Sequence, residues 1–179
     1  MFAVPLDEYR CESLAFSPDA SLLAVGGSNG MVGLWRVDTG RPQRHFIHDL
    51  LGAPVRAVAF SADGTLLASV GGRHLKVRDV RTGHVLLKRE HPHDLTAVAI
   101  DDSNERVATA CLDGVLRVWS RRGLLTAEHP GACAPGTRRL TWGADGPVAI
   151  VESSVEARSA DGRLIATVTA EGLRVAATP

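Results

Sequence analysis

Apolar residues along this chain come in short runs separated by turn-forming residues. Nowhere do they recur at helical spacing for more than about two turns. Residues 55–89 show the pattern most clearly. Val55-Arg56-Ala57-Val58-Ala59-Phe60 is a short mixed run, and Ser61-Ala62-Asp63-Gly64 is turn chemistry, because Asp bonds its own backbone and Gly accepts positive φ. Leu66-Leu67-Ala68-Ser69-Val70 is apolar on both faces, which predicts a strand buried from two sides. Gly71-Gly72-Arg73 turns the chain, and His74-Leu75-Lys76-Val77-Arg78-Asp79-Val80 alternates strictly, as a half-buried strand does. Arg81-Thr82-Gly83-His84 turns again before Val85-Leu86-Leu87-Lys88-Arg89. The segment therefore predicts four antiparallel strands. Its linkers are too short for crossover helices, which excludes a βαβ arrangement.

The pattern repeats. Leu14-Ala15-Phe16-Ser17-Pro18-Asp19-Ala20-Ser21-Leu22-Leu23-Ala24 aligns with 58–68 at an offset of 44, 98–108 follows at 40, and a weaker copy at 140–149 follows at 42. The spacing divides the chain, read as one array over 1–179, into units at roughly 10–50, 51–91, 92–130 and 134–170. Glu171-Gly172-Leu173-Arg174-Val175-Ala176-Ala177 reads as an extra C-terminal strand over 172–177. A four-stranded meander cannot bury both faces alone, but like units packed face to face can. The expected fold is all-β: a β-propeller or partial propeller of four four-stranded antiparallel blades.

Val107-Ala108-Thr109-Ala110-Cys111-Leu112-Asp113-Gly114-Val115-Leu116-Arg117-Val118-Trp119-Ser120 resembles the signature of the WD-repeat β-propeller family, and Leu23 to Arg36 does so as well. The resemblance covers roughly residues 10–170. It implies a buried hydrogen-bonded set of four, met throughout only in the third unit by His91, Thr109, Asp113 and Trp119. The Trp-Asp pair is nowhere intact: its counterparts are Trp35-Arg36, Arg78-Asp79, Trp119-Ser120 and Arg158-Ser159. The first unit keeps Asn29 and Trp35, while the second lacks both the Asp and the Trp. Such losses imply blades held mainly by apolar packing, with weaker polar cross-bracing.

The resemblance also implies a function, which is recognition of proteins or peptides on one rim of the ring. Mapped here, the second-turn tips are Ser28-Asn29, Arg73-His74, Leu112-Asp113 and Ser153-Ser154, and the connections carry His48-Asp49, His93-Asp94 and Arg138-Arg139. The candidate partner-binding residues are thus Asn29, His48, Asp49, Arg73, His74, His93, Leu112 and Arg138. Leu50, Leu51 and Leu112 are candidate apolar anchors. Rings of this family usually close with six to eight blades, so four pose a problem of exposed blade faces. Three solutions stay open: a homodimer pairing two half-rings, a larger propeller completed by another chain or a longer product, and self-closure in which Phe2-Ala3-Val4 joins the C-terminal strand.

Charge and composition narrow the functional classes. Lys+Arg and Asp+Glu both number 20, and that balance points away from nucleic acid as a partner. Arginines number 18 against 2 lysines, so nearly every cation is a planar guanidinium suited to carboxylates. No apolar run is long enough for a membrane helix, and MFAVPLDEYR lacks the regions of a secretory signal. Three scattered cysteines, Cys11, Cys111 and Cys133, form neither a disulfide framework nor a zinc ribbon, and their odd number favours a reducing compartment, read as cytoplasmic. His91-Pro92-His93-Asp94 with His48 and His129 invites a metal, but His91 occupies a structural position and the others read as loop residues. Cys111 reads as buried, Cys133 as a loop thiol with nothing to activate it. No phosphate-binding glycine loop leads from a strand into a helix. The expectation is a non-enzymatic scaffold without metal or cofactor. Its alternative is a structural half-propeller or fragment that completes a larger propeller.

Overall fold

The computed structural model describes residues 2–4, 10–134, 137–143, 146–151, 156–161, 163–169 and 172–177, and its regular structure is strand throughout. After β1 (Phe2–Val4), one sheet is built in chain order from β2 (Cys11–Phe16), β3 (Leu22–Gly27), β4 (Met31–Arg36) and β5 (Pro42–Ile47). The second holds β6 (Val55–Phe60), β7 (Leu66–Gly71), β8 (His74–Asp79) and β9 (Val85–Glu90). The third holds β10 (Leu95–Ile100), β11 (Arg106–Cys111), β12 (Val115–Ser120) and β13 (Leu125–Pro130). β14 (Thr137–Gly143) and β15 (Gly146–Val151) pair only with each other among the described residues. β16 (Glu156–Arg158), β17 (Leu164–Thr169) and β18 (Gly172–Ala177) form the last sheet, with β1 added at its outer edge against β18.

The fold is therefore all-β with four four-stranded antiparallel sheets. Its fourth such sheet is not the 134–170 stretch, which is divided between the β14–β15 pair and the last sheet. The reason is local. Ser159-Ala160-Asp161 repeats the turn chemistry of Ser61-Ala62-Asp63. Ser61 Oγ donates to Asp63 Oδ1 at 2.6 Å and accepts from the Leu66 amide at 2.9 Å. Ser159 Oγ donates to Asp161 Oδ1 at 2.5 Å and accepts from the Leu164 amide at 3.0 Å. Ser17 and Asp19 do the same at 2.6 and 2.9 Å. A first-strand turn therefore stands at 159–161, and β16 is a first strand. Arg158-Ser159, aligned from the sequence with the Trp-Asp pair, is the entry to this turn.

Period-two alternation explains the packing. On β3, Leu23 and Val25 face Ala166 and Val175 of the last sheet, while Ala24 faces Val55, Val58 and Leu67 of the second. On β7, Leu66, Ala68 and Val70 face Leu95, Val98 and Val107 of the third sheet, and Leu67 points the other way. On β11, Val107 and Cys111 face the second sheet, while Ala108 and Ala110 face Leu140 of β14. Each second strand is thus a shared wall between two neighbours.

The first strands β2, β6, β10, β14 and β16 surround one channel of about 550 Å³. β2 lies beside β6, β6 beside β10, β10 beside β14, and β16 beside β2. The same irregularity recurs near the start of four of them. The pairing shifts by one residue between Cys11 and Ser13, Val55 and Ala57, Leu95 and Ala97, and Thr137 and Arg139. Such a bulge leaves one side chain out of the ladder and re-aims it. Glu12, Arg56, Thr96 and Arg138 are the residues so placed.

Candidate functional site

The second turns and the connections between sheets meet on one rim. The His48 and Asp49 amides donate to Gly30 O at 2.8 and 3.1 Å, and the Leu95 amide to Gly72 O at 2.7 Å. The Leu112 amide donates to Asp94 O at 2.9 Å, and the Cys133 amide to Gly114 O at 3.2 Å. These bonds tie 29–30, 48–52, 72–74, 91–94, 112–114 and 133 into one belt beside the bulged ends of the first strands.

Beneath the belt lie the polar braces. In the third sheet, Trp119 Nε1 donates to Thr109 Oγ1 at 3.2 Å, and His91 Nε2 lies 3.0 Å from the same oxygen. The two rings meet edge to face at 5.0 Å. Asp113 is not part of this set. Its Oδ2 binds Arg117 at 2.9 Å and its Oδ1 accepts the Val115 amide at 2.9 Å, so His91 Nδ1 has no partner among the described residues. A guanidinium gives a carboxylate a charge-assisted bond that a neutral imidazole cannot match.

The second sheet carries an equivalent brace in different residues. His48 is buried at 1% exposure, and its Nδ1 lies 2.9 Å from Ser69 Oγ. Arg78 stands where the first and third sheets have Trp35 and Trp119. Its guanidinium reaches Ser69 Oγ at 3.4 Å and Ile47 O at 2.7 Å, and lies 5.3 Å from the Phe46 ring. Lys76 Nζ donates to the His48 carbonyl. His48 is therefore a core brace and not a rim contact, a correction to its reading as a loop residue. The signal was present in its spacing: Ser69 and Arg78 align with Thr109 and Trp119.

In the first sheet Val25 holds the position of Ser69 and Thr109. The Trp35 indole N–H consequently has no acceptor among the described residues, although its ring packs edge-on against His45 at 5.8 Å.

The remaining candidate residues sit on the belt or at the channel. Asn29 Oδ1 accepts the Met31 amide at 3.1 Å, as Asp113 does for Val115. Asp49 accepts the Leu51 amide at 2.7 Å and faces His74 at 3.8 Å. Arg73 donates to His91 O at 2.7 Å and pairs with Glu90 at 3.1 Å. The turn at Gly72-Arg73 is one residue shorter than Leu112-Asp113-Gly114, so His74 begins β8 and no Asp position exists there. His93 is exposed, and its carbonyl accepts from Cys111 Sγ at 3.3 Å. Arg138 is exposed at the channel. Leu50, Leu51 and Leu112 are exposed at 87, 96 and 62%. Ser153 and Ser154 lie outside the described residues.

Cys133, read as a loop thiol, is buried like Cys11 and Cys111. Burial raises all three thiols, Cys11 to about 12, and so withholds the thiolate. Among the described residues no three His, Cys, Asp or Glu side chains converge on a metal position, and no helix is long and apolar enough to cross a membrane.

Comparison with known proteins follows the same repeat. The family model described as WD domain, G-beta repeat matches at 7–36, 40–79 and 82–120, more than half of the chain. The chain belongs to the WD-repeat family. It is 33% identical over 87 residues to the U3 small nucleolar RNA-associated protein 15 homolog of Xenopus tropicalis, covering 48% of this chain and 17% of the relative. It is 27% identical over 119 residues to telomerase protein component 1 of Mus musculus, covering 65% of this chain and 4% of the relative. The chain thus spans less than a fifth of either relative. The solved structure of U3-55K superposes with a TM-score of 0.65 at 15% identity, covering 97% of this chain and 54% of that one, which shows a shared propeller fold. WD-repeat chains are generally non-catalytic and mediate protein interactions. Two expectations are corrected. Relatives named for nucleolar RNA and for telomerase overturn the cytoplasmic assignment. They also remove the ground for excluding nucleic acid from the setting in which such chains work.

Two outcomes follow from the braces. Burial, with Lys76 and Arg78 near His48 and Arg117 near His91, pulls both imidazoles down from 6.5 to about 4. Between those values the unfolded chain binds protons that the folded chain does not, so stability falls as pH falls through the window. Urea unfolding should show a loss of about 2 kcal/mol per histidine between pH 7 and pH 5, and His91→Gln should remove about half of that pH dependence. Val25→Thr should give Trp35 Nε1 the acceptor that Thr109 gives Trp119, stabilising the chain by about 1 kcal/mol. The same urea titration at pH 7 reads it, and a lower midpoint would show that the first sheet cannot accept the hydroxyl.

Proposed function

We propose that this WD-repeat chain is a non-catalytic scaffold that holds a partner protein on the rim formed by Asn29, Asp49, Arg73, His74, His93 and Leu112. The observation that carries this reading is the pair Leu50 and Leu51, almost fully exposed on a loop that Gly30 and Asp49 hold by backbone and side-chain bonds. Large apolar side chains on a fixed loop offer a contact with little ordering cost. Leu112 extends the apolar surface to the third sheet, and Arg73 and His74 lie between them with polar contacts for a partner's edge.

The test is capture from native extract on the immobilised chain, with and without RNase. Leu50→Asp/Leu51→Asp should lose a discrete set of bound proteins at least about tenfold, with an unchanged melting temperature. RNase separates partners held by protein from those held through RNA. A captured set unaffected by this double variant and by Leu112→Asp would place the docking surface elsewhere.

A second reading has one observation in its favour: among the described residues the β14–β15 sheet has two strands where the others have four. In this reading the chain is part of a larger propeller, completed by a second copy or another chain. Light scattering on the purified chain decides between them. A single species at 19.0 kDa supports the self-sufficient scaffold, and a species of about twice that mass supports two copies sharing one ring.

A further inference from the structure

We propose that the channel mouth beside the rim binds carboxylates of an acidic segment in the partner protein, through Arg138 and Arg56. This rests on the reading of the chain as a protein-binding scaffold and names the chemistry of its partner.

The repeated bulge carries the argument. Of the four bulge residues, Glu12, Arg56 and Arg138 line the channel. They occupy equivalent ladder positions on β2, β6 and β14, next to the connections that form the rim. Arg139, the next residue of β14, lines the same channel. At the three bulge positions that line the channel, two guanidiniums thus stand against one carboxylate, in a chain whose formal net charge is zero. The excess comes from placement and not from composition.

The chain already supplies a carboxylate there. Arg56 Nη1 binds Glu12 Oε2 at 3.0 Å, across the step from β6 to β2, with the Arg side chain 46% exposed. The mouth therefore accommodates a carboxylate on a guanidinium, and Glu12 is an internal competitor for Arg56. Arg138 is exposed, and it makes no ion pair with a described residue. A partner's glutamate or aspartate would take the place at Arg138 that Glu12 takes at Arg56.

The surroundings favour a carboxylate over RNA phosphate. Binding of single-stranded nucleic acid draws on aromatic faces for base stacking. The aromatic residues of the channel, Phe16, Phe60 and Trp142, stand at the far ends of their strands, beside the first turns. Among the described residues the arginine mouth has none.

The test uses the full chain and a fluorescein-labelled hexaglutamate peptide, read by anisotropy at low ionic strength. Saturable binding that weakens with added salt is expected. Arg138→Gln should weaken it about tenfold. Glu12→Gln should tighten it several-fold by freeing Arg56, a gain that misfolding cannot imitate. Arg41→Gln makes the same charge change at an exposed turn outside the channel and should leave binding unaltered. The proposal is overturned if Arg138→Gln and Arg41→Gln behave alike, if Glu12→Gln does not tighten binding, or if a uridine hexanucleotide displaces the peptide from the mouth. A chain that loses extract partners in the Leu50→Asp/Leu51→Asp variant yet ignores hexaglutamate keeps the rim scaffold and loses this inference.

Discussion

Leu67 and Ala68 are neighbours in the chain, yet they belong to different cores: Leu67 packs toward the first sheet and Ala68 toward the third. The same holds for Leu23 and Ala24 on β3, and for Val107 and Ala108 on β11. A strand buried from both sides has no solvent face, so its sheet is stable only between two others. Everything else follows from that constraint. Sheets that must be covered twice line up side by side, their first strands turn inward around a channel, and their exposed fourth strands turn outward. The ends of the series need covering as well, and the pairing of β1 with β18 builds the sheet that covers β3 on its open side.

Polar bracing is secondary to this packing, and the three complete units beginning at Cys11, Val55 and Leu95 show by how much. The third has a hydroxyl shared by an indole and an imidazole. The second keeps the hydroxyl and the imidazole but replaces the indole with the Arg78 guanidinium. That exchange works because the guanidinium is also flat and also donates. It has spare N–H groups, which explains its extra bond to the Ile47 carbonyl and its seat near Phe46. The first unit loses the hydroxyl to Val25 and leaves an indole N–H without an acceptor among the described residues. All three keep the same strand registers despite these changes. Apolar alternation sets the geometry, and the polar groups adjust to it.

This hierarchy also explains what could be read from the sequence. Strand identity, turn chemistry and two-sided burial were legible because each depends on a few adjacent residues: Leu66 to Val70, Ser61 to Gly64, His74 to Val80. The brace at His48 was hidden because its partner had changed type. Searching for a tryptophan finds nothing in the second unit, whereas asking what donates to Ser69 finds Arg78. The division of 134–170 was hidden because two copies of the first-turn pattern fall within one repeat spacing, the first at 142–146, after β14. The second, Ser159-Ala160-Asp161-Gly162, follows β16 and falls where the repeat spacing puts the end of a third strand. Asp113 was assigned to His91 by resemblance, and Arg117, four residues on, took it by charge.

The same packing decides where function can reside. Side chains on the second and third strands are consumed by the interfaces, and a change there disturbs two cores at once. Freedom remains where the ladder is interrupted, namely in the turns and connections of the rim and at the bulge residues of the first strands. The repeats carry different residues at several of these positions: Asn29, Arg73 and Asp113 on the second turns, Glu12, Arg56, Thr96 and Arg138 on the bulges. Variation among copies of one unit, at positions that the packing leaves free, turns a repetitive frame into an asymmetric surface. The rim and the arginine mouth are adjacent because both begin where a connection enters a first strand. On the reading of the chain as a protein-binding scaffold, a partner seated on Leu50 and Leu51 would stand beside the guanidiniums of the channel, so one docking event would bury an apolar anchor and neutralise a charge.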